Sequence, residues 1–218
     1  THIHTLTLSK HGDATDDERA LTIAGEGIEL AVATEHNHHA DYAAAQTRTV
    51  TSAHFTSVRG NEGTTKAGHF NAFPIAADAP VADFNLTNWS ALLPAIRATP
   101  SVQVITLNHP RDAHSGFVPL GPVNFNSVSG AARRGQPFTF DGLEVITSAA
   151  MQSDIMLLFR DWFALLNHGE RITALASSDS HDVSRFILGQ GRTYVKCADT
   201  NRSEEHTSEL QSRETISY

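Results

Sequence analysis

The sequence predicts an α/β fold built on a parallel sheet or barrel, and three observations carry that expectation. Short apolar, β-prone runs alternate with helix-patterned stretches. No internal repeat or low-complexity linker divides the chain, whose 218 residues suffice for one sizeable core and are marginal for two. Residues able to bind metal fall at or just past the ends of the apolar runs, the edge where (β/α) barrels place their sites.

Taken in order, the chain opens on Thr1-His2-Ile3-His4-Thr5. On a strand, that spacing puts both imidazoles on one face. A loop follows, with turn chemistry at Gly12-Asp13. Thr15 and Glu18 have the spacing of a capping box, and Leu21, Ile23, Ala24 and Ile28 supply an apolar helical face that stops near Gly25 or Gly27. Residues 28–34 read as a buried strand delivering Glu35-His36-Asn37-His38-His39, and a helix runs through Ala43-Ala44-Ala45. Residues 55–59 read as a strand ending at Gly60-Asn61-Glu62-Gly63, and residues 69–73 alternate like another.

Residues 76–88 are loop-like. Asn88 can cap a helix through Leu92, Leu93 and Ile96, stopped by Pro100. Residues 102–107 are strongly β-prone and deliver Asn108-His109-Pro110-Arg111. Residues 112–137 are the longest irregular stretch, and a loop that long is more often functional than idle. Residues 142–146 form a short strand carrying Glu144. Residues 153–167 are the clearest helix: Ile155, Leu158, Phe159, Trp162, Leu165 and Leu166 share a face, and Gly169 fits the stop. Residues 172–176 are a strand leading into Ser178-Asp179-Ser180-His181, where Asp179 and His181 repeat the spacing of His2 and His4. Residues 192–195 read as one more strand.

Composition narrows the function classes. Hydrophobic content of 40% and charged content of 18% describe a globular chain, with no apolar run long enough to span a bilayer. The net charge of −8 argues against a nucleic-acid backbone as the main partner. There are 13 histidines beside 2 methionines and 1 cysteine. Cys197 alone can form no internal disulfide, so neither redox compartment nor localisation is legible. Ser127-Val128-Ser129-Gly130 lacks the Gly-x-Ser-x-Gly frame, which excludes a serine-hydrolase elbow. Residues 202–218 match the in-frame translation of a short-read sequencing adapter. They are expected to be non-biological, and the domain is expected to cover residues 1–201 and to be cut at both ends.

The ordered motifs are His-x-His, Glu35-His36-Asn37, Gly60-Asn61-Glu62-Gly63, Gly68-His69-Phe70-Asn71, Asn108-His109-Pro110 and Ser178-Asp179-Ser180-His181. This series resembles the polymerase and histidinol phosphatase (PHP) family of metal-dependent hydrolases, over nearly all of residues 1–196. Gly12-Asp13-Ala14-Thr15 and residues 31–37 bring it nearest the carbaryl-hydrolase-like subfamily. The resemblance implies a distorted (β/α)7 barrel with three divalent transition metals, Zn, Mn or Fe. By motif, His2, His4, Glu62 and Asp179 would hold the first metal. Glu62 would bridge to a second completed by His69 and His109. The third would take His36, His181 and a ligand from the first loop, Asp13 in preference to His11. Glu62, His36 and Asp179 would carry the catalytic roles. Glu35 stands where many members have Asp.

The expected activity is hydrolysis of a small phosphate ester by water activated between metals. A carbamate or carboxylic ester is the second reading, and a non-catalytic metal-binding module the third. Arg111 and Arg185 closely follow ligand motifs and are candidate contacts for an anionic substrate, or else ordinary salt bridges. Glu144 is either a pocket wall or a strand carboxylate paired with an arginine. His114 is a candidate substrate contact, His38 and His39 either line the site or sit on the surface, and His54 and His168 read as structural.

Overall fold

The computed structural model describes residues 1–113, 115–147 and 154–196. The expectations for His114, Cys197 and residues 202–218 lie outside these, as does the start of the long helix at Ser153.

The described chain is a mixed α/β structure. Helix α1 (Asp16–Gly25) starts where the capping box predicts. Thr15 Oγ1 accepts from the Glu18 amide, and the Glu18 carboxylate accepts from the Thr15 amide at 2.7 Å. Strand β1 (Leu30–Val32), helix α2 (Ala43–Thr49) and strand β2 (Thr56–Val58) follow, with β1 and β2 paired in parallel. Next come strands β3 (Asn61–Thr65) and β4 (Gly68–Phe73), helix α3 (Trp89–Arg97), strands β5 (Val104–Leu107) and β6 (Gly142–Thr147), helix α4 (Ile155–His168) and strand β7 (Thr173–Ser177). Asn88 caps α3 through the Ser90 amide, and Asp154 caps α4 through the Met156 amide. Gly169 ends α4 at φ 103°, as its position predicts. No helix among the described residues is long and apolar enough to cross a membrane.

Strands β3 to β7 form one sheet in chain order. The β5–β6 and β6–β7 pairs are parallel, whereas β3–β4 and β4–β5 are antiparallel. That corrects two expectations. The sheet is mixed, and Glu62 sits inside a strand of a tight hairpin rather than in a loop beyond a strand end. The Lys66-Ala67 turn lets the chain double back at once, so Asn61–Thr65 pairs with Gly68–Phe73. Among the described residues the hydrogen-bonded strands group into a two-stranded and a five-stranded sheet. Isolated parallel bridges link the first segment to the end of β7 (Ile3 to Ser180) and the end of β1 to β3 (His36 to Glu62). The Thr34 hydroxyl fastens Ile3 at both its amide and its carbonyl.

Residues 192–195, expected as a strand, have no strand pairing. The Thr193 hydroxyl replaces a backbone ladder, bonding both the amide and the carbonyl of Ala176 at 3.0 Å. The described residues of 112–137 form turns, bends and an isolated bridge between Phe125 and Ala132, and they contribute Leu120 and Phe125 to the main core. That core gathers Phe70, Trp89, Leu92, Ile105, Leu107, Leu143 and Leu165, and a smaller one gathers Ile3, Ile23, Tyr42 and Phe55.

Candidate metal centre

The expected motifs come from strands and strand ends alike: Glu62 and His69 lie within β3 and β4, and His36, His109 and Asp179 follow β1, β5 and β7. Ile3 is buried against the smaller core, so its neighbours His2 and His4 project together to the other face, both 0% exposed. Three positions at strand ends take positive φ without being glycine: Asn37 (49°), His109 (23°) and Asp179 (49°). Such conformations cost free energy and cluster where a site over-determines the backbone. At His109 and Asp179 the turn falls on the clustered residue itself, and at His36 it comes one residue later, after the bridge to Glu62.

The side chains converge. His2 Nε2 lies 3.0 Å from Glu62 Oε1, 3.2 Å from Asp179 Oδ1 and 3.1 Å from His4 Nε2. His4 Nε2 is 3.2 Å from Asp179 and 3.7 Å from Glu62. Around Glu62 stand His36 Nδ1 at 2.7 Å, His69 Nδ1 at 3.3 Å and His109 Nε2 at 3.6 Å. His181 stacks on His4, ring centres 4.3 Å apart, and donates Nδ1–H to the Asp179 carbonyl. Its Nε2 is thereby left as a lone pair, buried without a hydrogen-bond partner. Eight of the nine expected ligands, His2, His4, His36, Glu62, His69, His109, Asp179 and His181, are thus in one place.

Asp13 is elsewhere. Its carboxylate accepts from the Val183 amide at 2.7 Å and so ties the first loop to the segment after His181. The loop residue that enters the cluster is His11, with Nδ1 2.9 Å from His36 Nε2 and its ring 4.3 Å from that of His181. Gly12 makes this possible: at φ 79° it presses against the His181 carbonyl, with which a Cβ would collide. Arg111 and Arg185 are also turned away. Arg111 makes a two-pronged pair with Asp161 at 2.6 and 2.7 Å, and Arg185 is 73% exposed beside Asp182 and the Phe186 ring. His38 and His54 are exposed.

Charge explains what holds the cluster. Burial alone would push the His2 imidazole down, but Asp179, Glu144 and Glu62 outweigh it and hold the group well above its usual range. For His109, burial is likewise outweighed by Glu62 and Asp179, and the group is pushed up to about 9. Burial would raise Asp179 and Glu62, yet the surrounding imidazoles hold both well below the carboxylate range. His4 is the exception, pushed down to about 3 by burial. The charged carboxylates therefore depend on cationic neighbours, whether imidazolium or metal.

The donor set fits divalent metal. Two ligands on one tetrahedral zinc, each about 2.1 Å from it, lie about 3.4 Å apart. The nitrogen–oxygen separations on Glu62 and Asp179 bracket that value, from 2.7 to 3.8 Å. Among the described residues three groups have potential ligand atoms within 4.8 Å of one another: His2, Glu62 and His109; His2, His4 and Asp179; His4, His36 and His181. Mixed imidazole and carboxylate donors suit Zn, Mn or Fe over a thiol-seeking metal.

The surrounding residues hold the clustered side chains in place. Arg19, 1% exposed, donates to the carbonyls of His4 and Asp182. Glu35 is not a ligand: it accepts from the Thr5 amide, the Ser9 hydroxyl and the Tyr42 hydroxyl, fixing the first loop. Asn108 donates to Glu62 at 2.9 Å. Sequence reasoning missed Arg19 and Asn108. The signal for Asn108 was its place directly before a ligand, whereas Arg19 looked like any polar position on α1. A cavity of about 850 Å³ adjoins the cluster at His69, with Asn37, Thr64, Lys66, Phe84 and Asn85 among its walls. Phe84 lies against Gly63, where a Cβ would meet the ring at 2.5 Å.

No family model matches the chain, and no curated protein matches it. Among solved structures it is similar to the crystal structure of a two-domain protein from Bacteroides vulgatus containing a predicted PHP-like metal-dependent phosphoesterase, at 17% identity and a TM-score of 0.48. The match covers 83% of this chain and 51% of that one, so the chain spans about half that protein's length.

Proposed function

We propose that this chain is a metal-dependent hydrolase of small esters, with phosphate esters the first substrate class. One observation carries the reading. A buried carboxylate, Glu62, is shared by imidazoles from four segments at metal-ligand spacing, with the His2, His4 and Asp179 group and the all-histidine group of His4, His36 and His181 beside it. Structural cores do not concentrate so many titratable groups without cations to neutralise them.

In this reading His2, His4, Glu62, Asp179, His69 and His109 hold two divalent metals, and His36, His181 and His11 hold a third. His11 replaces Asp13 in that role because it lies within hydrogen-bonding distance of His36. Bound metal supplies Lewis acidity toward the ester and lowers the pKa of a water. The protein's own part is placement. Glu62 is fixed by Asn108 and by the Thr64 hydroxyl at 2.9 Å. Asn37 bonds both the amide and the carbonyl of Thr64, stiffening the wall between cluster and cavity. The cavity receives the organic part of the ester, with Phe84 as an apolar surface and Lys66 as a cation at the rim. A distorted barrel, closed by the isolated bridges of Ile3 and His36, is the architecture this reading favours.

A second reading has its own support. Arg111 and Arg185, candidates either for an anion contact or for ordinary salt bridges, face Asp161 and Asp182. Lys66 is then the one Lys or Arg among the described residues lining the cavity. A neutral carbamate or carboxylic ester needs no more than that. A chelated preparation, reloaded with Zn or Mn, should regain turnover of p-nitrophenyl phosphate, and inorganic phosphate should inhibit competitively. Metal-dependent turnover of a naphthyl carbamate alone, insensitive to phosphate, would replace the first reading by the second. Failure on both with metals loaded would leave a metal-binding module.

A further inference from the structure

We propose that Glu144 is the residue that sets the tautomer of His2 and so makes it a ligand. This inference rests on the metal reading of the cluster and goes beyond it.

Glu144 lies on β6, is 1% exposed, and accepts four hydrogen bonds. Oε1 takes His2 Nδ1 at 2.8 Å and the Ser177 hydroxyl at 2.5 Å. Oε2 takes the backbone amide of His109 at 2.8 Å and the Thr147 hydroxyl at 2.8 Å. The donors come from the first segment, the end of β5, the end of β6 and β7. An ionised carboxylate is acceptor-only, so four donors satisfy it and leave it no rotation. It needs no arginine partner, contrary to the salt-bridge alternative for this residue.

A neutral imidazole carries one N–H. With Nδ1 committed to Glu144, the lone pair of His2 falls on Nε2, the atom facing Glu62, Asp179 and His4. His2 belongs to two of the three candidate groups. The same carboxylate anchors the amide of His109, whose backbone sits at φ 23°. One side chain thus fixes the orientation of two ligands. A residue that merely filled space would not need both oxygens pointed at ligand-bearing residues.

Glu144→Gln tests this, because it preserves size while adding a donor. The new amide NH2 cannot face the His109 N–H, whose proton is fixed, so it turns to His2. Nδ1 of His2 must then accept, and its proton moves to Nε2, where it blocks ligation. Cobalt(II) is the probe, titrated into chelator-treated full chain and followed by its visible absorption and by competition with a chromophoric chelator. The wild-type chain should bind, and Glu144→Gln should bind about 10- to 100-fold more weakly. Glu144→Asp, which keeps the acceptor, should recover part of the loss. Equal affinity for wild type and Glu144→Gln would overturn the positioning role and leave the metal reading standing, whereas a wild type that binds no cobalt would overturn both. If Glu144→Gln does not fold, nitrogen-15 NMR of the zinc-loaded wild type decides. His2 protonated on Nδ1 and metallated on Nε2 is the expected result, and the reverse assignment overturns the proposal.

Discussion

In the main core, Phe70, Leu92, Ile105 and Leu143 are 0% exposed and pack on other apolar side chains. In the ligand cluster His2, His4 and Glu62 are buried to the same 0%, yet their neighbours are titratable. Removing the first set from water is favourable at any pH, at about 1.5–3 kcal/mol for each large side chain. Removing the second set is unfavourable unless every charge meets its opposite. The stability of one region is therefore unconditional, and that of the other depends on protons or metal. The two can be separated by experiment.

The largest effect belongs to the apolar region. Trp89 meets Phe70 and Phe140 edge-on, and its indole N–H donates to the Ala67 carbonyl. Trp89→Ala should cost about 3–5 kcal/mol in denaturant unfolding, with the same loss in metal-free and metal-loaded protein. A loss that differs between the two would show that the regions are coupled.

Arg111 comes next. Its partner Asp161 has a side chain 1% exposed, and burial raises that carboxyl even with the guanidinium in place. Arg111→Ala should cost about 3 kcal/mol by stranding a buried carboxylate, with KM for the phosphate ester unchanged. Full stability with weakened phosphate inhibition would return Arg111 to the substrate.

The cluster itself gives a smaller, conditional effect. His109 is raised to about 9 in the fold, by Glu62 and Asp179 against the opposing effect of burial. A raised folded pKa adds stability in full below the unfolded value of about 6.5, and this is lost as pH climbs to the folded value. His2 shifts the same way. His4, depressed by burial to about 3, loses stability only below about 6.5, and Glu62 and Asp179 only in acid. Metal-free protein should thus lose about 2 kcal/mol between pH 6.5 and 9. Metal-loaded protein should not, because ligation needs neutral imidazole and strengthens as protons leave. Parallel pH profiles with and without metal would contradict the assignment. Smallest is the first loop: His11→Asn should weaken metal binding several-fold, roughly the low end of a ligand-shell change, and Asp13→Asn less.

Much of the fold was legible because local signals agreed with the tertiary result. The capping box at Thr15 and Glu18, the Asn88 cap and the Gly169 stop each act over a few residues. The β3–β4 hairpin was not legible, since Lys66-Ala67 carries no Gly, Asn or Pro turn signal and Asn61–Thr65 is poor in β-branched apolar residues. The clustered histidines were legible as an ordered series of short motifs, and the structure brings those motifs together. Arg19 was not, and Glu144 was legible only as either a pocket wall or an arginine's partner, because the contacts that define both lie far away in the chain. The choice between His11 and Asp13 turned on how Gly12 meets His181, a contact that spacing does not encode.

If the side chains that converge on Glu62 hold more than one divalent metal, as proposed, the number of bound ions reveals it. Elemental analysis of chelator-stripped protein, reloaded with zinc and desalted, tests it directly, with the Glu62→Ala variant alongside. More than one tightly held ion per chain in the wild type, with occupancy lost at two positions together in Glu62→Ala, is the expected result. At most a trace of metal in the wild type, or the loss of a single ion on removing Glu62 with the others retained, would contradict it.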